Sequence, residues 1–442
     1  MTFETYEELA ALDAPLIRTE IPGPNTRAVV AADAEVTSPS LPRAYPFAPT
    51  RGAGSIVVDV DNNIFLDFNA GIAVCSTGHA HPQVVTAIQQ QTERLIHYSA
   101  SDFFQPLYSE LCARLDQISP MSVPVKCFLT NSGTEAVEAG IKLARLHTGR
   151  QYVIAFLNSF HGRSYGSVSL TASSSKYHAG FGPMLPGVVH APYADSLDGF
   201  THLDHPDAPG YIEKVIFKRL VPADEVAAII VEPVLGEGGY VVPPTAWMRN
   251  LRALCDEHGI LLLADEVQSG MGRTGKMWAI EHFDIEPDIV LAGKGIASGM
   301  PLGAMIAPAT TMSWERGAHG STYGGNPLSC VAALETIDLV EKELLANTTE
   351  IGAQITAGLR GVAERTELIE QVRGLGLMIG IEFTTAADAD AVETACFERG
   401  LLVLRAGDKA IRMSPPLMLR TEQATTGLKI FEDACAAVSS TR

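Results

Sequence analysis

Asp288-Ile-Val-Leu-Ala-Gly-Lys294-Gly295 places an apolar run directly before a lysine, and the preceding run of the same kind, Gly259-Ile-Leu-Leu-Leu-Ala-Asp265-Glu266-Val267, ends in a carboxylate. Short apolar runs bounded by glycine and polar residues read as buried strands. Three more stand upstream: Val125-Lys-Cys-Phe-Leu-Thr130, Tyr152-Val-Ile-Ala-Phe-Leu157 and Val226-Ala-Ala-Ile-Ile-Val231. Amphipathic stretches such as 136–146 and 246–258 lie between them. This alternation predicts an α/β domain with a mostly parallel central sheet flanked by helices.

Outside that core, the first fifty residues are rich in Pro, Ala and Thr, and Pro22, Pro24, Pro39, Pro42, Pro46 and Pro49 are expected to exclude long helices there. Val57 to Phe68 reads as a β-hairpin turning at Asp61-Asn62-Asn63. A helix with Leu328, Val331, Leu334, Ile337 and Leu339 on one face leads out of the α/β region. The expected organisation is an arm and hairpin over 1–75 that pack with the small domain, a large domain over 76–340 and a smaller α+β domain over 341–442. Residues 193–222 read as a loop-rich insertion.

The balance of 51 acidic against 32 basic residues, with no basic cluster, argues against nucleic acid as a partner. Seven scattered cysteines without Cys-x-x-Cys spacing read as reduced thiols of a cytoplasmic protein. The N-terminus lacks the pattern of a signal peptide, and no run reaches the roughly 18 apolar residues of a membrane span. His79 and His81 lack accompanying ligands at zinc spacing, so a structural turn is favoured and no metal is expected.

Ligands of open α/β sheets bind beyond the carboxyl ends of the strands. Each of the five runs is followed there by a polar cluster. After the first, Ser132 and Glu135 fit a helix capping box, while Gly133 permits close backbone approach; the amides of that helix start suit a phosphate, or the segment is an ordinary cap. After the second, Phe160 can stack on a flat ring or simply pack in the core, and Arg163 can clamp a carboxylate. Glu232-Pro-Val-Leu-Gly-Glu237-Gly-Gly is either a surface turn or a loop that brings Glu237 into a site. Asp265 at a buried strand end either caps the next loop or calls for a cationic partner, which a protonated pyridine nitrogen supplies, and Gln268 can bond the ring hydroxyl. Lys294 alone reads as a solvated lysine at a strand end. Together with the phosphate cup, the aromatic ring and the acid on the same sheet edge, it reads as a lysine that forms a Schiff base with pyridoxal phosphate.

From about Phe65 to the C-terminus the chain resembles class III, fold-type I pyridoxal-phosphate aminotransferases, through Asp67-Phe-Asn-Ala-Gly-Ile-Ala-Val, Asn131-Ser-Gly-Thr-Glu-Ala, Phe160-His-Gly-Arg, the Glu232 segment, Asp265-Glu-Val-Gln and the Lys294 segment. It is most similar to the 4-aminobutyrate and acetylornithine enzymes. The resemblance implies that pyridoxal 5'-phosphate is held by Ser132, Gly133, Thr134, Phe160, His161, Glu232, Asp265, Val267 and Gln268, and that Lys294 also moves the substrate proton. Thr322 is implied to serve the phosphate of a neighbouring subunit, which makes a homodimer the smallest active unit. Arg163 and Arg412 are implied to hold the two carboxylates of 2-oxoglutarate, with Glu237 pairing Arg412 when an amine substrate enters. Ile72 stands where 4-aminobutyrate enzymes carry a small apolar residue, and Phe103 and Phe104 also bear on pocket shape. The implied reaction moves the amino group of a terminal amine to 2-oxoglutarate. The arm and the insertion also resemble a subgroup that includes amino-acid racemases.

Overall fold

The computed structural model describes residues 3–194 and 208–440. After β1 (Pro49–Ala53), the expected hairpin forms from β2 (Ile56–Asp59) and β3 (Ile64–Asp67). Its turn is set by Asp59, whose Oδ1 accepts the backbone N–H groups of Asp61 (2.9 Å) and Asn63 (2.8 Å), with Asn62 in the left-handed region.

The proline argument fails between Pro24 and Val36, where a 13-residue helix stands. Pro24 occupies the first turn, where its missing N–H costs nothing, and the next proline is Pro39. The Asp61 carboxylate caps this helix from the hairpin by accepting the N–H groups of Asn25 (2.8 Å) and Thr26 (2.7 Å).

The central sheet contains β4 (Val125–Thr130), β5 (Tyr152–Phe156), β6 (Val188–Ala191), β7 (Val226–Val231), β8 (Leu261–Asp265), β9 (Ile289–Ala292) and β10 (Gly303–Pro308). Their spatial order is β4-β10-β9-β8-β7-β5-β6, with β10 antiparallel to both its neighbours and every other pair parallel. Strand β7 is buried along its whole length, as a sheet covered on both faces requires. The helix Gly133–Thr148 crosses one face, and Gly140 lets it close on Leu291, since a Cβ there would lie 2.9 Å from the leucine methyl. The five expected strands are all present. β6 and β10 extend the sheet beyond these five.

The helix Pro327–Leu339 runs through a π-turn at Val340–Leu344 into Leu345–Ala363 and so reaches the C-terminal region. There β11 (Ile369–Leu375), β12 (Met378–Phe383), β14 (Leu404–Ala406) and β15 (Ala410–Met413) form an antiparallel sheet ordered β11-β12-β15-β14. Strand β13 (Leu401–Leu402) instead pairs in parallel with β3, which ties the N-terminal hairpin to this region. Of the expected 193–222 insertion, residues 195–207 lie outside the described residues, whereas Ala208–Arg219 is helical with a π-turn, not loop. No helix among the described residues is long and apolar enough to cross a membrane.

Candidate active site

The polar clusters that follow β4, β5, β7, β8 and β9 converge at one edge of the sheet, beside a cavity of about 800 Å³. Ile72, Phe160, Arg163, Glu237, Gln268, Lys294 and Arg412 line it. Asp265, His161 and Glu232 lie buried behind this lining. Thr322 is absent from the cavity wall and sits exposed in its loop, next to Ser321, whose hydroxyl accepts a hydrogen bond from Asn131 (3.2 Å).

The anion cup follows β4. Ser132 accepts the N–H of Glu135 at 3.4 Å, which is one half of the expected capping box. The other half is displaced by a residue: the Glu135 carboxylate accepts the backbone N–H of Asn131 (2.7 Å), not that of Ser132. Gly133 has no room for a side chain, because a Cβ would fall 2.6 Å from Val267. The Thr134 hydroxyl meets those of Ser164 (2.8 Å) and Ser167 (2.5 Å), and Ser164 in turn donates to Glu138 (2.6 Å). These serines and Glu138 were not singled out from sequence, since no motif links them.

Asp265 closes β8. Its Oδ1 accepts the N–H of Val267 (3.1 Å), and its Oδ2 shares a 2.6 Å hydrogen bond with His161 Nδ1. The other imidazole nitrogen, Nε2, is buried without a partner among the described residues. Glu232 joins two loops by accepting the N–H groups of Phe160 (2.8 Å) and Gly236 (2.8 Å). Burial pushes its carboxyl up to about 7, with His161 opposing and Asp265 adding to the rise. Gly236 lets the Gln268 amide lie close, since a Cβ there would fall 2.2 Å from its Nε2, and the Gln268 carbonyl accepts the Tyr240 hydroxyl (2.9 Å).

Lys294 opens a short 3-10 turn with φ of 44°, a left-handed conformation that a non-glycine residue adopts only under local constraint. Burial lowers the pKa of its amine, Asp265 opposes that shift and the Arg412 charge reinforces it. The next residue, Gly295, leaves space for Ser76, which a Cβ would approach to 2.5 Å.

Arg163 lies over the rings of Tyr177 (4.7 Å to the centroid) and Phe160 (5.9 Å). Among the described residues no ion pair joins Glu237 to Arg412, and Glu237 accepts the hydroxyls of Tyr177 and Ser173. The Tyr177 phenol is pushed up to about 12 by burial and by the Glu237 carboxylate it donates to. Tyr177 and Ser173 carry no motif, and only the folding of 171–177 over the Glu237 loop reveals them.

The donors at this edge fit a phosphorylated pyridine aldehyde: a helix start with a glycine and hydroxyls, a buried carboxylate backed by an imidazole, and a desolvated lysine. A family model described as "Aminotransferase class-III" matches residues 39–435. The chain belongs to the class III aminotransferases. Among curated relatives of this family member, an alanine/serine racemase of Pyrococcus horikoshii is 36% identical over 97% of this chain and 94% of its own length. The 4-aminobutyrate aminotransferase of Escherichia coli strain K12 is 40% identical over 89% of this chain and 95% of its own length. The crystal structure of the ornithine aminotransferase from Toxoplasma gondii ME49 shares 29% identity and a TM-score of 0.83, covering 94% of this chain and 96% of that one. The fold is that of the pyridoxal-phosphate transaminases, and pyridoxal phosphate is the cofactor of this class III enzyme.

Proposed function

We propose that this enzyme transfers the amino group of 4-aminobutyrate or a related terminal amine to 2-oxoglutarate, giving an aldehyde and glutamate. The observation that carries the reading is the presence of Arg163 and Arg412 on the wall of the same cavity as Lys294. Two guanidinium groups around one amine suit a dicarboxylate acceptor, which a chain of net charge −19 must otherwise repel. An N-acetylornithine or ornithine donor fits the same acceptor half.

Pyridoxal phosphate supplies an aldehyde that takes up the amine and a ring that draws electrons from the adjacent carbon. In this reading Ser132, Gly133 and Thr134 hold the phosphate, Phe160 and Val267 flank the ring, and Gln268 bonds its hydroxyl. Asp265 keeps positive charge at the ring nitrogen, while His161 and Glu232 fix Asp265 and the Phe160 loop. Lys294, its amine favoured in the neutral form by burial, takes the substrate proton and returns it. Arg412 receives the α-carboxylate and Arg163 the distal one.

A second copy of the chain completes the unit. Leu95, Ile96, Tyr98, Phe103 and Phe104 are exposed together with Tyr323, whose ring lies 4.7 Å from that of His97. This apolar surface adjoins Thr322 and fits a self-association face that carries Thr322 to a neighbour's phosphate. The seven free thiols suit a reducing compartment such as the cytoplasm.

One observation favours racemisation as a second reading: the racemase match spans 97% of the chain, against 89% for the 4-aminobutyrate enzyme. A donor panel with 2-oxoglutarate, scored by glutamate formed, tests the first reading. Conversion of a single amino-acid enantiomer into its mirror image without a keto acid, and no glutamate from any donor, overturns it.

A further inference from the structure

Residues Ala70, Gly71, Ile72 and Ala73 have φ angles of 50°, 63°, 70° and 58°, so four consecutive residues form one left-handed turn. Glycine adopts this region freely, whereas alanine and the β-branched isoleucine do so only when their surroundings impose it. Ala70 and Ala73 are buried, while Ile72 is 45% exposed and lies on the wall of the catalytic cavity.

The constraint comes from one buried carboxylate. Asp67 Oδ1 accepts the N–H groups of Asn69 (2.8 Å) and Ala70 (3.0 Å), fixing the entry to the turn. Asp67 Oδ2 bonds His79 Nε2 at 2.6 Å. His79 is itself anchored through both backbone groups to Gly54, at 2.8 and 3.0 Å. The Asn69 side chain then accepts the N–H of Ile72 (3.1 Å), and Ser414, two residues beyond Arg412, donates to the Asn69 carbonyl (3.3 Å). Burial alone disfavours charge on His79, but its bonds to Asp67 and Cys75 outweigh burial and push it up to about 10.

We propose that Asp67 and His79 are positioning residues for the substrate: they hold the Ala70–Ala73 turn left-handed so that Ile72 forms the donor side of the cavity. The inference rests on the reading of this cavity as the amine site. It predicts an effect on the donor and not on the cofactor, whose implied contacts include none of Asp67, His79 and Ile72.

The test is a titration of the holoenzyme with 4-aminobutyrate, glutamate and alanine, following the absorbance of the bound cofactor. His79→Gln and Asp67→Asn should keep the cofactor band and raise the donor half-saturation about tenfold, with the saturating rate within about threefold. In the Ile72→Ala background the same substitutions should shift half-saturation by less than about twofold, because coupled residues are not additive. Asn69→Ala, which removes the acceptor for the Ile72 N–H, should reproduce the donor effect should either of these variants misfold. Unchanged half-saturation, parallel loss of rate and cofactor band, or full additivity with Ile72→Ala overturns the proposal. Wild-type reaction with alanine alone overturns the terminal-amine reading, yet the comparison of half-saturations for alanine still decides the role of the pair.

Discussion

His161 Nδ1 and Asp265 Oδ2 lie 2.6 Å apart, both buried, with the second imidazole nitrogen unpartnered among the described residues. The imidazole thereby fixes the direction of the carboxylate that closes β8. Asp265→Asn removes the negative charge and is expected to lower kcat by roughly 10³-fold or more. His161→Gln removes only the support and should cost about 10- to 100-fold, the usual range for an outer partner of a functional group. Single-turnover rates with cofactor content measured in parallel check this ordering, and equal losses in the two variants contradict it.

Lys294 combines a left-handed backbone with a desolvated amine. Lys294→Ala should abolish the long-wavelength absorbance of the bound cofactor and reduce turnover by about 10⁴-fold, since it removes nucleophile and proton carrier together. The sign of one neighbour is also testable. Arg412 places positive charge near the Lys294 nitrogen and disfavours its protonation, so Arg412→Ala should move the pH transition of the absorbance band upward.

Tyr177 donates to the Glu237 carboxylate, which in the proposed reading keeps Glu237 from Arg412. With Tyr177→Phe, Glu237 is left with Ser173 alone, at 3.3 Å, and is released to compete for the guanidinium. Half-saturation for 2-oxoglutarate should rise about three- to tenfold while that for 4-aminobutyrate changes little, a discrimination of about 1 kcal/mol. Arg412→Ala should raise the 2-oxoglutarate value about 100-fold, the scale of a lost charged hydrogen-bond partner. Initial rates over both substrates separate these effects, and a rise confined to the amine contradicts the argument.

The parts of the site that chain chemistry writes locally were readable, and the parts that tertiary contacts impose were not. A carboxylate or a lysine after a short apolar run marks a strand end, so Asp265 and Lys294 are legible, and their convergence follows from the parallel sheet. Tyr177 reaches Glu237 across 60 residues of sequence and carries no local sign of that role. The Ala70–Ala73 turn is still less legible: only Gly71 favours its conformation, and the side chains that impose it, Asp67 and Asn69, look like ordinary turn residues. The helix Pro24–Val36 is hidden in a proline-rich stretch because the position of Pro24 in the first turn, not the number of prolines, decides its effect.

Glu266, beside Asp265, offers a test of stability apart from catalysis. Its carboxyl is buried, accepts the N–H of Ile280 (2.7 Å) and the hydroxyl of Ser269 (2.5 Å), and is pushed up to about 7 by burial, which outweighs those hydrogen bonds. A carboxyl raised in the folded state binds its proton more tightly there than in the unfolded chain. Its contribution is therefore fully present below the unfolded pKa, near 4.5, and is lost as pH rises through about 7. The loss across that window is at most roughly 3 kcal/mol. Glu266→Gln cannot ionise, and its amide presents a donor where two donors converge, so it should be less stable than the wild type at about pH 5.5. By about pH 8 the wild type has lost the protonated form and the gap should narrow. Urea midpoints of both proteins at the two pH values measure the change, and a gap that stays constant or widens toward pH 8 contradicts the assignment of a raised carboxyl at Glu266.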